Sequence, residues 1–164
     1  SVLVDKGAML RTQALTLARH ANATGELTVD GVGSQLSLRG GAVNIGSLAN
    51  GRVVVSGGGA LLGEDATVIT VGNADVTLNS LLRVEGSGSR MGNVGIQVLA
   101  SGTLELRDGA RWDAASIQGV NALAIQAGTV RFDKATVTLV DATLESLAAQ
   151  SLNPDGTTDR KSVV

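Results

Sequence analysis

The chain has 164 residues and a net charge of −2, with 22 Gly, a single Pro and no Cys. This charge balance argues against a nucleic-acid or anionic-membrane partner, and the lack of Cys excludes disulfides, thiolate metal sites and a Cys nucleophile. Aromatic residues make up only 1% of the sequence. The apolar content is therefore almost entirely Val, Leu, Ile and Ala, which suits a thin and regular core rather than a large globular one.

A turn followed by a short alternating strand recurs along the chain. Clear copies begin at Gly25, Gly51, Gly102 and Gly128, and in a weaker copy Asp75 replaces the glycine. These starts follow one another at a nearly constant spacing of roughly 26 residues, a period typical of solenoids. In a solenoid each repeat packs against its neighbours.

Each repeat is predicted to form one rung with three short strands separated by Gly, Asn, Asp and Ser turns. Strand residues alternate between apolar and polar, so each strand has one buried and one solvated face. In chain order the predicted strands lie at 2–4, 8–10, 15–17, 27–29, 36–38, 43–45, 53–55, 60–62, 68–71, 82–84, 96–99, 104–106, 110–112, 123–125, 130–132, 137–139 and 142–144.

The first strand of each rung predicts two inward columns of apolar side chains. A register slip of one residue in any rung would turn its apolar side chains to water. The first column is predicted as Val2, Leu27, Val53, Val76, Leu104 and Val130. The second is predicted as Val4, Val29, Val55, Leu78, Leu106 and Phe132.

The pattern as a whole predicts an all-β fold, a right-handed parallel β-helix of about six rungs of roughly 26 residues each. We expect this solenoid to occupy residues 1–150, as a segment of a longer chain whose caps lie elsewhere. Residues 151–164 are polar and rich in turn formers, and we expect a C-terminal tail or linker there.

The outward positions of the first strands carry charges that support this register. Three oppositely charged pairs are each separated by one repeat period, namely Glu105 and Arg131, Arg107 and Asp133, and Glu26 and Arg52. Glu105, Arg107, Arg131 and Asp133 form the one surface patch in which carboxylates could serve acid–base chemistry, as in glycan-cleaving β-helix enzymes. We favour a charge-balanced, solvated sheet face, because no long loop is available to wall a cleft around a carboxylate.

Other chemically suggestive residues have plainer structural interpretations. His20 lies at a turn and lacks the partners that a metal site or a catalytic triad needs. Gly57-Gly58-Gly59 lacks the Lys-Ser/Thr and the helix of a phosphate-binding loop, and Trp112 aligns with Leu61 and is predicted to point into the core. We therefore expect no catalytic, cofactor-binding or metal-binding residues and no cofactor.

Several stretches resemble one group of bacterial proteins. They are Gly25–Leu36, Gly40–Gly46, Leu82–Met91 and Ala100–Trp112, each with Gly-rich turns between short alternating strands. They resemble the β-helix repeat regions of type V secreted proteins, that is, autotransporter passengers and the filamentous exoproteins of two-partner secretion. The resemblance covers roughly residues 25–144. It implies a secreted or cell-surface adhesin, associated with virulence, in which the repeats are scaffold and carry no functional residues.

Three functions are consistent with these observations. We expect a structural rod of an adhesin, which is not an enzyme and which mediates attachment to a host cell, a bacterial surface or matrix through protein or glycan ligands. The alternatives are a carbohydrate-binding β-helix module and, third, a fragment of a polysaccharide lyase or hydrolase. We expect an extracellular or cell-surface location, no nucleic-acid partner, and self-association through the open β-helix ends.

Overall fold

The computed structural model describes residues 1–114 and 122–138, apart from the side chains of Asp65 and Ala66. In this part of the chain, parallel strands stack as a β-solenoid of about 5 turns of about 26 residues, without a helix. The predicted all-β parallel β-helix is confirmed. The strand predicted at 142–144 and the boundary between 1–150 and a tail at 151–164 lie outside the described residues.

The strands form two stacked sheets. The first sheet has the order β1-β4-β7-β9-β11-β14, and the second follows the path β15-β12-β10-β8-β5-β2, with β3, β6 and β13 paired alongside it. The strands are β1 (Val2–Val4), β2 (Met9–Thr12), β3 (Leu15–Leu17), β4 (Thr24–Asp30), β5 (Gln35–Arg39), β6 (Val43–Ile45), β7 (Asn50–Ser56), β8 (Ala60–Val71), β9 (Ser80–Glu85), β10 (Arg90–Val98), β11 (Gly102–Arg107), β12 (Arg111–Asp113), β13 (Leu123–Ile125), β14 (Thr129–Asp133) and β15 (Thr136–Thr138).

The register of the first sheet matches the prediction in five of its six strands. Its first inward column is Val2, Leu27, Val53, Leu82, Leu104 and Val130. Its second is Val4, Val29, Val55, Val84, Leu106 and Phe132. The predicted members Val76 and Leu78 are wrong, because β9 begins at Ser80 and places Leu82 and Val84 in these columns.

The residues before β9 form a turn, although the predicted inward columns placed Val76 and Leu78 in the first strand of this rung. Asn73 Oδ1 accepts a hydrogen bond from the backbone N–H of Asp75 at 2.7 Å, and Asp75 Oδ1 accepts one from that of Thr77 at 3.0 Å. Such local side-chain bonds compete with strand pairing. The turn leaves Val76 75% exposed, which is incompatible with a place in the core.

The third and fourth rungs depart from the predicted pattern of three separate strands. β8 runs through the corner that was predicted to separate 60–62 from 68–71, and β10 pairs with it over most of its length. The register shifts between Gly92 and Val94, where β8 carries extra residues. A bulge of this kind bends a strand and lets it continue around the corner of the solenoid.

One continuous apolar core fills the inside of the stack. The second sheet contributes a column in which Leu36, Leu61, Met91 and Trp112 lie over one another. Trp112 is 1% exposed, as predicted, and its indole N–H donates to the carbonyl of Val94 at 3.2 Å. A buried Trp needs such a partner for its one polar atom, so Trp112 contributes to the core and not to an outer binding face.

Glycine is required at the starts of the repeats because the backbone there packs too closely against other backbone for a side chain to fit. Gly102 lies so close to the end of β8 that a Cβ atom there would be 2.1 Å from the carbonyl oxygen of Val71. At Gly51 a Cβ atom would lie 2.3 Å from the backbone nitrogen of Gly46. Real Cβ atoms cannot approach backbone this closely, so these positions exclude side chains.

Candidate functional site

The predicted surface patch lies on the outer face of the first sheet. Glu105 on β11 is the register partner of Arg83 on β9 and of Arg131 on β14, and Arg107 is the partner of Glu85 and Asp133. The structure therefore brings the four predicted residues together, and it adds Arg83 and Glu85 from the rung before. We call this set of six residues the ion ladder.

Glu105 lies between two guanidinium groups. Its Oε2 atom accepts from Arg83 Nε at 2.8 Å, and its Oε1 atom accepts from Arg131 Nη1 at 3.2 Å. The side chain of Glu105 is only 13% exposed. Arginines on both neighbouring rungs thus engage the two carboxylate oxygens of Glu105.

Arg107 makes a different ion pair from the predicted one. It is the register partner of Asp133, but its Nε atom donates to Glu85 Oε2 at 2.8 Å and lies 3.6 Å from Asp108 Oδ2. The hydrogen bond to Glu85 raises the pKa of Arg107. The predicted pair of Glu26 and Arg52 is present at 3.3 Å.

A second charged cluster, which the sequence analysis missed, lies on the outer face of the second sheet. Glu64 accepts hydrogen bonds from the Ser37 hydroxyl at 2.6 Å, from Arg11 Nε at 2.9 Å and from Arg39 Nε at 2.9 Å. The bonds from Ser37 and Arg11 lower the pKa of Glu64 to about 2. This carboxylate is therefore fixed in its ionised form and joins three successive rungs.

A third feature of the outer surface is a shallow bay of about 260 Å³ over β8, β10 and β12. Gly92, which has no side chain, forms the floor of the depression. The end of the Leu62 side chain lies close to the place that a Cβ atom of residue 92 would take. We call it the Arg90–Arg111 bay; its lining residues are Leu62, Arg90, Met91, Gly92, Asn93, Arg111 and Asp113.

The two arginines of this bay differ from the other arginines on the strands. Arg90 and Arg111 are register partners on neighbouring rungs and are both exposed. Within residues 1–114 and 122–138, neither guanidinium has an ion-pair or hydrogen-bond partner. The remaining strand arginines in this part of the chain form ion pairs: Arg11, Arg39, Arg52, Arg83, Arg107 and Arg131.

Neither a cluster of possible metal ligands nor a membrane-spanning helix is found in the described residues. They contain no group of three or more His, Asp or Glu side chains that could hold a metal ion, and His20 is exposed at a turn. No helix in the described part of the chain is long and apolar enough to cross a membrane.

Comparisons with known proteins add no identification. No protein-family model, curated protein or solved structure matches the chain.

Proposed function

We propose that this chain is a structural rod segment of a secreted or surface-displayed bacterial adhesin that mediates attachment to cells or matrix. The observation that carries the proposal is the unbroken apolar core, which runs from rung to rung with its columns in register. Six stacked strands of the first sheet, spaced by about 4.8 Å, span roughly 24 Å from the first strand to the last. A stack of this kind is stiff along its axis and suits a mechanical role.

The outer face of the first sheet supports a scaffold in preference to an enzyme. Two of its carboxylates, those of Glu85 and Glu105, are engaged by arginines on neighbouring rungs. A polysaccharide lyase or hydrolase needs a carboxylate that can exchange a proton inside a cleft. The ion ladder lies instead on a sheet face, and it contributes to the cross-rung attraction that a rod requires.

An extracellular or cell-surface location follows from the resemblance of the repeats to type V secreted adhesins, by either the autotransporter or the two-partner route. The partner would be a host-cell, bacterial-surface or matrix ligand. We also propose that copies of this segment self-associate through strand edges, which invite pairing. Val2, Leu3 and Met9 on the first strands are at least half exposed in the described structure.

Self-association can be tested by sedimentation over a range of protein concentrations. We expect a concentration-dependent dimer that Leu3→Lys weakens, because a charge on an edge strand opposes edge-to-edge pairing. Thr28→Lys, at the register partner of Leu3 on the next rung, is the control and should leave the dimer intact. A monomer at all concentrations would overturn this part of the proposal.

The adhesin assignment is tested with immobilised protein and a panel of polysaccharides and matrix ligands, read for both binding and product release. The rod function predicts no product release. Release that is abolished by Glu105→Gln or Asp133→Asn would make the protein an enzyme. Cells that present a binding tip through this segment should attach better than cells that present it through a Gly/Ser linker of equal length, and equal attachment would refute a mechanical role.

A carbohydrate-binding function is the second candidate, and one observation favours it. The Arg90–Arg111 bay is an open surface depression beside two cationic side chains without partners in the described structure. Binding of a glycan without turnover in the same panel would show that the adhesive activity lies in this segment.

A further inference from the structure

We propose that the Arg90–Arg111 bay is a binding site for an acidic saccharide, with the two guanidiniums holding its carboxylate or sulfate group. This inference goes beyond the mechanical role, and it would stand if the chain were not part of an adhesin. Arg90 and Arg111 are directly opposed on adjacent rungs, and like charges in that relationship destabilise a sheet.

The rest of the surface shows that this chain ordinarily avoids such a pairing. In the ion ladder, Arg83, Glu105 and Arg131 alternate in sign along one column. At the bay, the next position along the same column as Arg111 is Thr136, which supplies no counter-charge. Two adjacent guanidiniums that no described carboxylate engages create a site that an oxyanion would neutralise, with the paired hydrogen bonds that guanidinium groups form with carboxylate and sulfate oxygens.

The shape of the bay favours a ligand larger than a bare ion. Gly92 leaves the backbone of β10 uncovered, and Leu62 supplies an apolar wall on one side. On the neighbouring rung, Thr136 and Thr138 are the register partners of Arg111 and Asp113. Their hydroxyl groups can hydrogen-bond to sugar hydroxyls. An acidic saccharide joins an anionic group to a compact, hydroxylated ring, and it therefore fits the two guanidiniums, the apolar wall and the threonine hydroxyl groups.

The carboxylate of Asp113 also lines the bay. Asp113 is the register partner of Gly92, two positions along β12 from Arg111. A carboxylate repels an anion but accepts hydrogen bonds from neutral hydroxyl groups. The acidic group of the saccharide should therefore lie over the two arginines, with its hydroxylated ring towards Asp113.

An acidic peptide fits the same surface less well. A peptide that binds a sheet in an extended form usually adds a strand to a free edge. β10 has no free edge at the bay, because it pairs with β8 on one side and with β12 on the other. The ligand must therefore bind through side chains on a closed sheet face, as a saccharide ring can.

The binding test uses titration calorimetry on the whole chain. Its probes are glucuronate, galacturonate, a sulfated disaccharide, their neutral counterparts, sodium sulfate and an Asp/Glu hexapeptide. We expect the acidic saccharides to bind roughly tenfold or more tightly than the neutral sugars, and their affinity to fall as salt is added. Equal binding of neutral sugars, no binding of any acidic saccharide, or tighter binding of free sulfate or of the hexapeptide would overturn the proposal.

Three variants connect the binding to the bay. Arg90→Gln and Arg111→Gln should each weaken binding by roughly tenfold or more, and Gly92→Val should block the bay while keeping both charges. Arg19→Gln is the matched control, since Arg19 is an exposed arginine at a turn outside the bay. An equal loss of affinity in Arg19→Gln would show non-specific attraction and refute the site.

A thermal unfolding measurement on the free protein distinguishes a variant that has lost its fold from one that has lost only the binding site. Because Arg90→Gln removes a like-charge contact, we expect its Tm to equal or exceed that of the parent. A lower Tm in Arg90→Gln would show that Arg90 has a structural partner, which contradicts the basis of the proposal. Failure of the adhesin assignment, by contrast, would appear in the attachment experiment and would leave these affinities unchanged.

Discussion

The hydroxyl of Ser37 donates a 2.6 Å hydrogen bond to the carboxylate of Glu64 across two adjacent strands of the second sheet. This bond, together with those from Arg11 and Arg39, lowers the pKa of Glu64 from its ordinary 4.5 to about 2. The cluster acts as a cross-link between rungs whose strength depends on the charge of one carboxylate. It therefore makes the stability of the solenoid sensitive to acid.

We predict that Glu64 contributes stability that disappears as the pH falls. Because its folded-state pKa is depressed, the unfolded chain binds the proton more tightly, and the contribution is complete above about pH 4.5 and is lost as the pH falls towards 2. The free energies of unfolding of the parent and of Glu64→Gln should differ at pH 7 and converge between about pH 4.5 and 2. A constant difference over that range would contradict the prediction, and NMR titration of the Glu64 carboxyl measures its pKa directly.

The close approach at Gly102 gives a second prediction. Gly102→Ala places a Cβ atom 2.1 Å from the carbonyl oxygen of Val71, so the rungs must separate locally. We expect a loss of about 1–3 kcal/mol in the free energy of unfolding, as for other overpacked positions.

Gly92→Ala is the matched control for this substitution. Its Cβ atom would meet the flexible end of Leu62 at 3.3 Å and the carbonyl oxygen of Asp113 at 3.8 Å, which is an ordinary van der Waals contact. We expect a change within about 0.5 kcal/mol. Equal losses in both variants, measured by urea unfolding, would show that the close approach of Gly102 to Val71 does not account for the loss.

The sequence predicted the fold well because most of the rungs have equal length. Where neighbouring strands are one full repeat period apart, as from Leu27 to Val53 and from Leu104 to Val130, the inward columns are correct. The interval from Val53 to Leu82 is longer than this period, and the next one, from Leu82 to Leu104, is shorter. A pattern search for a constant period therefore chose Val76, and only the turn around Asp75 reveals the extra residues.

The corrected column leads to a third prediction. Leu82 is fully buried between Val53 and Leu104, whereas Val76 is 75% exposed. Leu82→Ala should cost about 2–5 kcal/mol through the lost burial and the cavity it leaves. Val76→Ala should change stability by less than about 0.5 kcal/mol. Thermal or urea unfolding of the two variants decides between the two registers, and the reverse order of effects would restore the register predicted from the period.

The unequal third and fourth rungs also explain why the sequence did not predict the Arg90–Arg111 bay and the cluster around Glu64. Glu105 and Arg131 are separated by one full repeat period, and the periodic alignment found them. Arg90 and Arg111 are closer together in the sequence than one period, because the shortened fourth rung brings them into register. Glu64 lies in a segment that was predicted to be a turn, and only the continuation of β8 through that corner places its carboxylate on the sheet face.

A fourth prediction concerns the ion ladder, where the burial of a carboxylate determines how much its ion pairs contribute to the free energy of unfolding. Glu105 is 13% exposed and bonds to two arginines, while Glu26 is 50% exposed and pairs with Arg52 alone. Glu105→Gln removes the charge that both guanidiniums share, so we expect a loss of about 1–2 kcal/mol. Glu26→Gln is the matched control, and as an exposed pair it should cost less than about 0.5 kcal/mol.

The measurement for the ion ladder is urea unfolding of both variants at pH 7, at low and at high salt. The small effect of Glu26→Gln should vanish at high salt, because exposed charges are screened. The larger effect of Glu105→Gln should persist, since its carboxylate is largely shielded from solvent ions. Equal and fully screened effects would mean that the ladder is a solvated surface without a structural role, and that the core alone holds the rungs in register.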